Sequence, residues 1–396
     1  MDFKSPLALY IIWHPKYGDG HEISQYLYSQ FCRDYKKPLL RTLGIPVYFR
    51  WEKTFDSNNP ALINFEEAEY NVIIPLISDE LVNDEFYVKY IEDLYKQCIK
   101  SNGKSKIFPV AINKSAYTFS RVLSDINFIR ADKYDSLMCG NNGILSYLRV
   151  SILHELCRLL LNMKPAIDEK DSLYSVPPPI KLFISHSKHD DSKNEALKFR
   201  DFINSQTQLK TFFDANDIAY GSNFGNEIKR AVKESALVAF QSDSYSEREW
   251  CRIEVLTAKS VGCSVVIVNA VQNGEKRTFP YMGNYPSIRL NNNNFMDIIC
   301  LTLEQVLYNN YTSKLLDKTT DMYGVTADSI LSSSPELYSF VQLKEKETKN
   351  GKEFHLIIYP DPPLGSEEVD LLNKMNDEYH FVTPIVLPSL TITDEG

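Results

Sequence analysis

Several chemistries are excluded by what the chain lacks. It has no glycine-rich phosphate loop, no HExxH pair and no EF-hand spacing, and only 15 of its 396 residues are glycine. ATP hydrolysis and metal catalysis therefore find no support. The seven cysteines, at positions 32, 98, 139, 157, 251, 263 and 300, are odd in number, scattered, and never form a CxxC pair. Neither a disulfide framework nor a zinc site fits that pattern. Basic residues are outnumbered, 43 against 52 acidic, for a net charge of -9. This argues against a broad nucleic-acid-binding surface, although a small anionic nucleotide can still bind locally. Long apolar runs are missing too: the first, residues 7–13, stops at His14 and Pro15. No signal peptide or membrane partner is expected, and the compartment expected is cytoplasmic and reducing.

What is present is a folded, aromatic-rich chain, 43% hydrophobic and 12% aromatic, long enough for two or three domains. Short apolar runs at 7–13, 45–50, 71–77 and 106–111 alternate with helical patterns at 22–35 and 86–99, and an amphipathic helix spans 143–161. Alternation of this kind predicts an α/β fold with a parallel sheet flanked by helices. Charges and three adjacent prolines at 177–179 mark a linker over 166–179. The alternation then restarts, with strands at 182–185, 210–213, 237–241 and 264–269 and helices at 192–205, 223–234, 246–261 and 295–308. A last segment, 312–396, holds strand patterns at 353–359 and 382–387 around a helix at 366–377, and a polar end at 391–396 expected to fray. The expected organisation is thus a first α/β domain over 1–165, a linker, a second over 180–311, and a small α/β appendage over 312–396.

The two α/β units read as divergent copies of one flavodoxin-like design. Each has a strand ending in an aromatic pair, Tyr48 and Phe49 or Phe212 and Phe213, then one ending in serine and aspartate, Ser78 and Asp79 or Ser242 and Asp243. Twelve residues beyond each serine stands Glu254 in the second unit but Tyr90 in the first, with Glu92 two residues further on. Trp250 and Glu254 are four apart in a helix pattern, so both side chains share a face. A carboxylate beside an aromatic at the carboxyl edge of a parallel sheet suits a ribosyl substrate, accepting ribose hydroxyls and stabilising a cationic sugar.

Residues 182–187, Leu-Phe-Ile-Ser-His-Ser, with Asp190, resemble the first box of the Toll/interleukin-1 receptor (TIR) family, chiefly its prokaryotic branch. Phe212-Phe213-Asp214 with Asp217, Ile218 and Gly221 resembles its second strand and mobile loop. Ser242, Tyr245, Ser246 and Trp250-Cys251-x-x-Glu254 resemble the segment carrying the catalytic glutamate, and residues 279–286 a late loop of bacterial members. The resemblance covers about 180–310, with 5–135 similar only as a degenerate TIR-like unit, regulatory or oligomerising. It implies tandem TIR-type sheets and an NAD+ glycohydrolase that cleaves the nicotinamide–ribose bond and is activated by oligomerisation in an antiviral response. NAD+ would be the substrate, with no separate cofactor and no metal. A non-catalytic TIR scaffold that assembles signalling proteins is the alternative. A nucleotide or protein trigger acting through the first unit is a further reading.

Glu254 is the catalytic candidate, its bland alternative being an exposed glutamate paired with an arginine. Ser185, His186, Trp250, Asp217 and Tyr245 are candidate substrate-binding residues. Trp250 competes with a packing role, and His186 with a structural one. Gly221 and Ser222 lie in loop 214–224, which the resemblance makes a gating and self-association element; glycine supplies backbone freedom and Ser222 a helix cap. Cys251 has no His or Asn partner at a suggestive spacing and apolar neighbours, so it reads as a packed thiol. The proline-rich 359–365 reads as a rigid connector.

Overall fold

A computed structural model describes residues 3–54, 60–134, 137, 143–161, 178–188, 192–212, 225, 230–232, 235–274, 278–291 and 294–391. By its contacts the chain divides into two compact units, the first reaching Ile152 and the second starting at Leu153. The division falls inside one helix, Ile144–Leu161, rather than at the end of it.

In the first unit, β1 (Ser5–Ile12), β2 (Val47–Arg50), β3 (Ala68–Ile77), β5 (Val110–Ala111) and β6 (Ile129–Arg130) form a parallel sheet in the order β2-β1-β3-β5-β6, with β4 (Ser105–Ile107) beside β3. Every residue of β1 is buried, because helices cover both faces of a central parallel strand. That is why its sequence is a continuous apolar run. Helices α1 (Gly20–Phe31) and α2 (Glu85–Lys100) bury Ile23, Leu27 and Phe31, and Tyr87, Ile91, Leu94 and Cys98, at three- and four-residue spacing. The single strand expected at 106–111 is two: Pro109 lies between β4 and β5, and proline cannot donate to a ladder.

The second unit repeats the strand order. Strands β7 (Lys181–His186), β8 (Lys210–Phe212), β9 (Ala236–Gln241), β10 (Val265–Asn269) and β11 (Ser287–Arg289) run β8-β7-β9-β10-β11, all parallel. Around them are α3 (Ile144–Leu161), whose second half belongs to this unit, α4 (Ser192–Gln206) and α5 (Glu249–Ser260). The helix expected from 246 begins later, since Tyr245–Glu247 forms a separate 3-10 turn.

The helix expected to stop at 308 continues. α6 runs from Phe295 to Met322, burying Ile299, Leu303, Val306 and Leu307 in its first half and Tyr311, Leu316 and Thr320 in its second. Its first half packs on β9 and β10 and its later turns against β12 (Ser329–Ile330), so one continuous helix serves both the five-stranded sheet and the appendage. The appendage is a parallel three-stranded sheet, β12-β13-β14, with β13 at Leu356–Ile358 and β14 at His380–Val382. Helices α7 (Leu337–Asn350) and α8 (Ser366–Asn373) flank it. β14 lies earlier than the expected 382–387, where Pro384 interrupts and a short helix, Leu387–Thr391, follows. Among the described residues no helix is long and apolar enough to cross a membrane.

Candidate active site

Strands β7 and β9 are neighbours whose chain connections leave in opposite directions, to β8 on one side and β10 on the other. Crevices at the carboxyl ends of such a pair are where open α/β sheets bind ligands. Ser185 and His186 end β7, in register with Ala239 and Phe240 of β9. Past β9 the chain turns through Ser242 and Asp243 into the Tyr245–Glu247 turn and then α5. α5 buries Cys251, Val255 and Ala258, which sets the core face of the helix. Glu254 and Trp250 lie to one side of that stripe, Glu254 half-buried and Trp250 46% exposed. The indole is thus presented to solvent and not used to fill the core.

The Ser185 hydroxyl donates to Glu254 Oε2 at 2.5 Å and lies 2.6 Å from the Tyr245 hydroxyl. A hydroxyl has one hydrogen, so Tyr245 must be the donor in the second bond. Burial, with Cys251 and Glu254 adding to it, drives the Tyr245 pKa well above that of an ordinary phenol, which keeps the donor proton in place. The result is a directed relay, Tyr245 to Ser185 to Glu254, anchoring one carboxylate oxygen by a charge-assisted bond of a kind worth roughly 1.5–3 kcal/mol.

Sequence-predicted residues therefore separate by position. Glu254, Ser185 and Tyr245 meet in one hydrogen-bonded chain. Tyr245 is fully buried and Ser185 is 1% exposed, so both back the carboxylate and neither presents an open face to a ligand. His186 is also buried, and its carbonyl accepts from the Cys251 thiol at 3.5 Å. That bond, and the burial of Cys251, agree with a packed thiol. Asp217, Gly221 and Ser222, together with Asp190 and most of the expected linker, lie outside the described residues.

Other residues complete the site, and the sequence had assigned none of them a role in it. The hydroxyls of Ser187 and Ser244 pair at 2.7 Å, joining the two strand ends a second time. Asp243 accepts from the backbone N–H groups of Gln272 and Asn273, each at 2.9 Å, and from the Asn273 amide. Those donors, the Asn273 backbone first, hold its carboxyl below the ordinary aspartate range. Ser246 receives the Phe279 N–H at 3.1 Å, tying the late loop to the start of α5. Among the described residues no group of His, Cys, Asp and Glu could hold a metal ion.

At the other end of α5 the appendage takes hold. The Lys259 ammonium lies 2.6 Å from Glu336 Oε1 and donates to the Tyr281 carbonyl at 3.3 Å. It sits over the rings of Tyr285 and Tyr338, 5.0 and 5.7 Å from their centroids. Gln342 donates to the Lys259 carbonyl, and the Tyr338 hydroxyl reaches the Leu256 carbonyl at 3.5 Å.

The TIR domain family matches residues 182–297. No curated protein matches the chain. Among solved structures, the TIR domains of the activated Roq1 resistosome, which directly recognises the pathogen effector XopQ, share 20% identity over 23% of this chain and 58% of theirs, with a TM-score of 0.21. A putative phosphosugar isomerase from Silicibacter pomeroyi DSS-3 is 11% identical over 81% of this chain and 88% of its own, with a TM-score of 0.20. The family match spans β7 to the start of α6 and includes every residue of the Tyr245–Ser185–Glu254 relay, and over residues 182–297 the chain carries a TIR domain.

Proposed function

We propose that this protein is an NAD+ glycohydrolase whose reaction centre is Glu254, gated by self-association in an antiviral response. The observation that carries the reading is the bond from Ser185 to Glu254, backed by buried Tyr245 and set beside the exposed Trp250 indole. A half-buried carboxylate fixed in this way is prepared to face developing positive charge without reorganising.

In the reaction the bond between ribose C1′ and the nicotinamide nitrogen breaks, and its electron pair stays with nicotinamide. The leaving group enters as a pyridinium and departs neutral, so it needs no general acid. Glu254 accepts the hydroxyls of the nicotinamide ribose and stabilises the oxocarbenium-like sugar. Water adds to C1′ and releases a proton, giving ADP-ribose. Trp250 offers a flat face for nicotinamide or adenine and shields the cation. Ser185 and Tyr245 are positioning residues, acting through the carboxylate.

Nicotinamide release from NAD+ measured over a wide range of protein concentration, with a crowding agent, tests the reading. Release per molecule that climbs steeply with concentration supports an assembly-gated hydrolase. Absence of release from protein shown to be self-associated would overturn it in favour of a non-catalytic scaffold.

A further inference from the structure

Two surface segments outside the TIR domain expose apolar side chains under charge of opposite sign. The first is the loop that follows α1. Its ends are tied together by the Gly44 N–H on the Cys32 carbonyl at 3.2 Å and the Ile45 N–H on the Phe31 carbonyl at 3.0 Å. Loops closed in this way are compact surface structures, often functional. Leu39 is 99% exposed, Tyr35 62% and Leu40 60%. Around them stand Arg33, Lys36, Lys37 and Arg41, with Asp34 the one acid between 33 and 41, in a chain whose net charge is -9. The loop has a definite shape: Tyr35 stacks on Tyr28 with ring centroids 5.4 Å apart, Arg33 lies 4.8 Å over Tyr35, and the Lys36 N–H bonds Asp34 at 2.9 Å.

The second segment is α8 and the turn after it. This helix buries Leu372 alone, while Val369, Leu371 and the following Met375 are 38%, 52% and 56% exposed. The exposed acids Glu367, Glu368, Asp370, Asp377 and Glu378 surround them, with Lys374 the one base in 366–378. Part of this acidity has a local cause: Glu368 accepts the Gly365 N–H at 2.9 Å, and acids at a helix start complement its dipole. Capping leaves the three outward apolar side chains unexplained.

We infer that the basic loop 33–44 of one copy docks on the acidic, apolar face of α8 in a second copy. The two patches are complementary in charge and both apolar in the middle, the arrangement that steers association and fixes its register. A net negative chain repels its own copies generally, and this pairing is where the repulsion reverses. Because the surfaces differ, the contact is heterologous and adds copies head to tail, closing into a ring or continuing as a filament. The inference does not rest on NAD+ cleavage.

Sedimentation velocity on the full chain tests it, at low and high salt, with two variants: Lys36→Glu with Lys37→Glu, and Glu367→Lys with Glu368→Lys. All four side chains are on the surface, and thermal melting will verify that each variant stays folded. The wild type should associate with rising concentration and dissociate as salt screens the contact. Each double variant should need at least tenfold more protein to associate, and an equimolar mixture of the two should recover assembly, since one reversed pair of surfaces is again complementary. A wild type that stays monomeric at low salt, or variants that associate like it, or a mixture that fails to recover would overturn the inference. Binding of monomeric wild type to phosphatidylserine vesicles would overturn it also, assigning the loop to a lipid surface.

Discussion

Lys259 and Glu336 form an ion pair, 2.6 Å apart, between the helix that carries Glu254 and the appendage that follows α6. The lysine is 5% exposed and is surrounded by tyrosine rings, whereas the glutamate side chain is 35% exposed. The two ends of the pair therefore respond differently to loss of the partner. Glu336→Gln leaves a buried cation with weaker compensation, and we expect a cost of about 1–3 kcal/mol. Lys259→Met leaves a carboxylate that water can reach and an apolar stem that still packs on the rings, so it should cost less. Urea denaturation of both variants checks the order, and a larger loss from Lys259→Met would contradict it.

The relay behind Glu254 makes a second ordering. In Tyr245→Phe the Ser185 hydroxyl still donates to the carboxylate; in Ser185→Ala both the carboxylate and the phenol lose their partner. We expect Ser185→Ala to lower kcat for NAD+ roughly tenfold, equivalent to about 1.4 kcal/mol, and Tyr245→Phe only a few-fold. KM should hold nearly constant in both, because neither buried side chain faces substrate. A rise in KM with unchanged kcat would show instead that these groups bind NAD+ directly.

His154 on α3 accepts the Ile180 N–H on Nε2 at 3.2 Å, which requires an unprotonated nitrogen. Burial, with the nearby Arg158 charge in the same direction, lowers its pKa from 6.5 to about 4. The unfolded chain thus binds this proton more readily than the folded one. The stability contributed is complete above pH 6.5 and is lost as pH falls towards 4, amounting to about 3 kcal/mol. Denaturation at pH 7 and pH 4.5 should show most of this loss, and His154→Gln should flatten it. An undiminished pH dependence in the variant would place its origin in other groups.

Much of this arrangement was readable in advance for a physical reason. Strands buried on both faces, such as β1 and β9, need unbroken apolar runs, and helices such as α2 need apolar residues at three- and four-residue spacing. Glu254 and Trp250 were likewise legible, because helical spacing puts them together. Less visible were features decided by contacts distant in sequence. Asn309 and Asn310 look like the end of a helix, yet α6 continues because Asn309 bonds Ser264 at 3.1 Å and Leu316 joins the apolar cluster with Ile358 and Leu387. β11 is three residues long and exists through its pairing with β10. Nothing in the local pattern of Lys259 or Glu336 announces an ion pair 77 positions apart in sequence. The buried setting of Tyr245, which makes it a support for Ser185, likewise depends on how the turn folds under α5.

The most direct test of the central claim is nicotinamide release by the wild type and by Glu254→Gln, matched for concentration and for oligomeric state by sedimentation. Glutamine preserves the shape and the bond from Ser185 while removing the negative charge that faces the ribosyl cation. The account predicts cleavage by the wild type and a loss of at least a hundredfold in the variant at unchanged assembly, about 2.7 kcal/mol of transition-state stabilisation. Equal release by both proteins would contradict it, because the chemistry would then reside elsewhere than in Glu254.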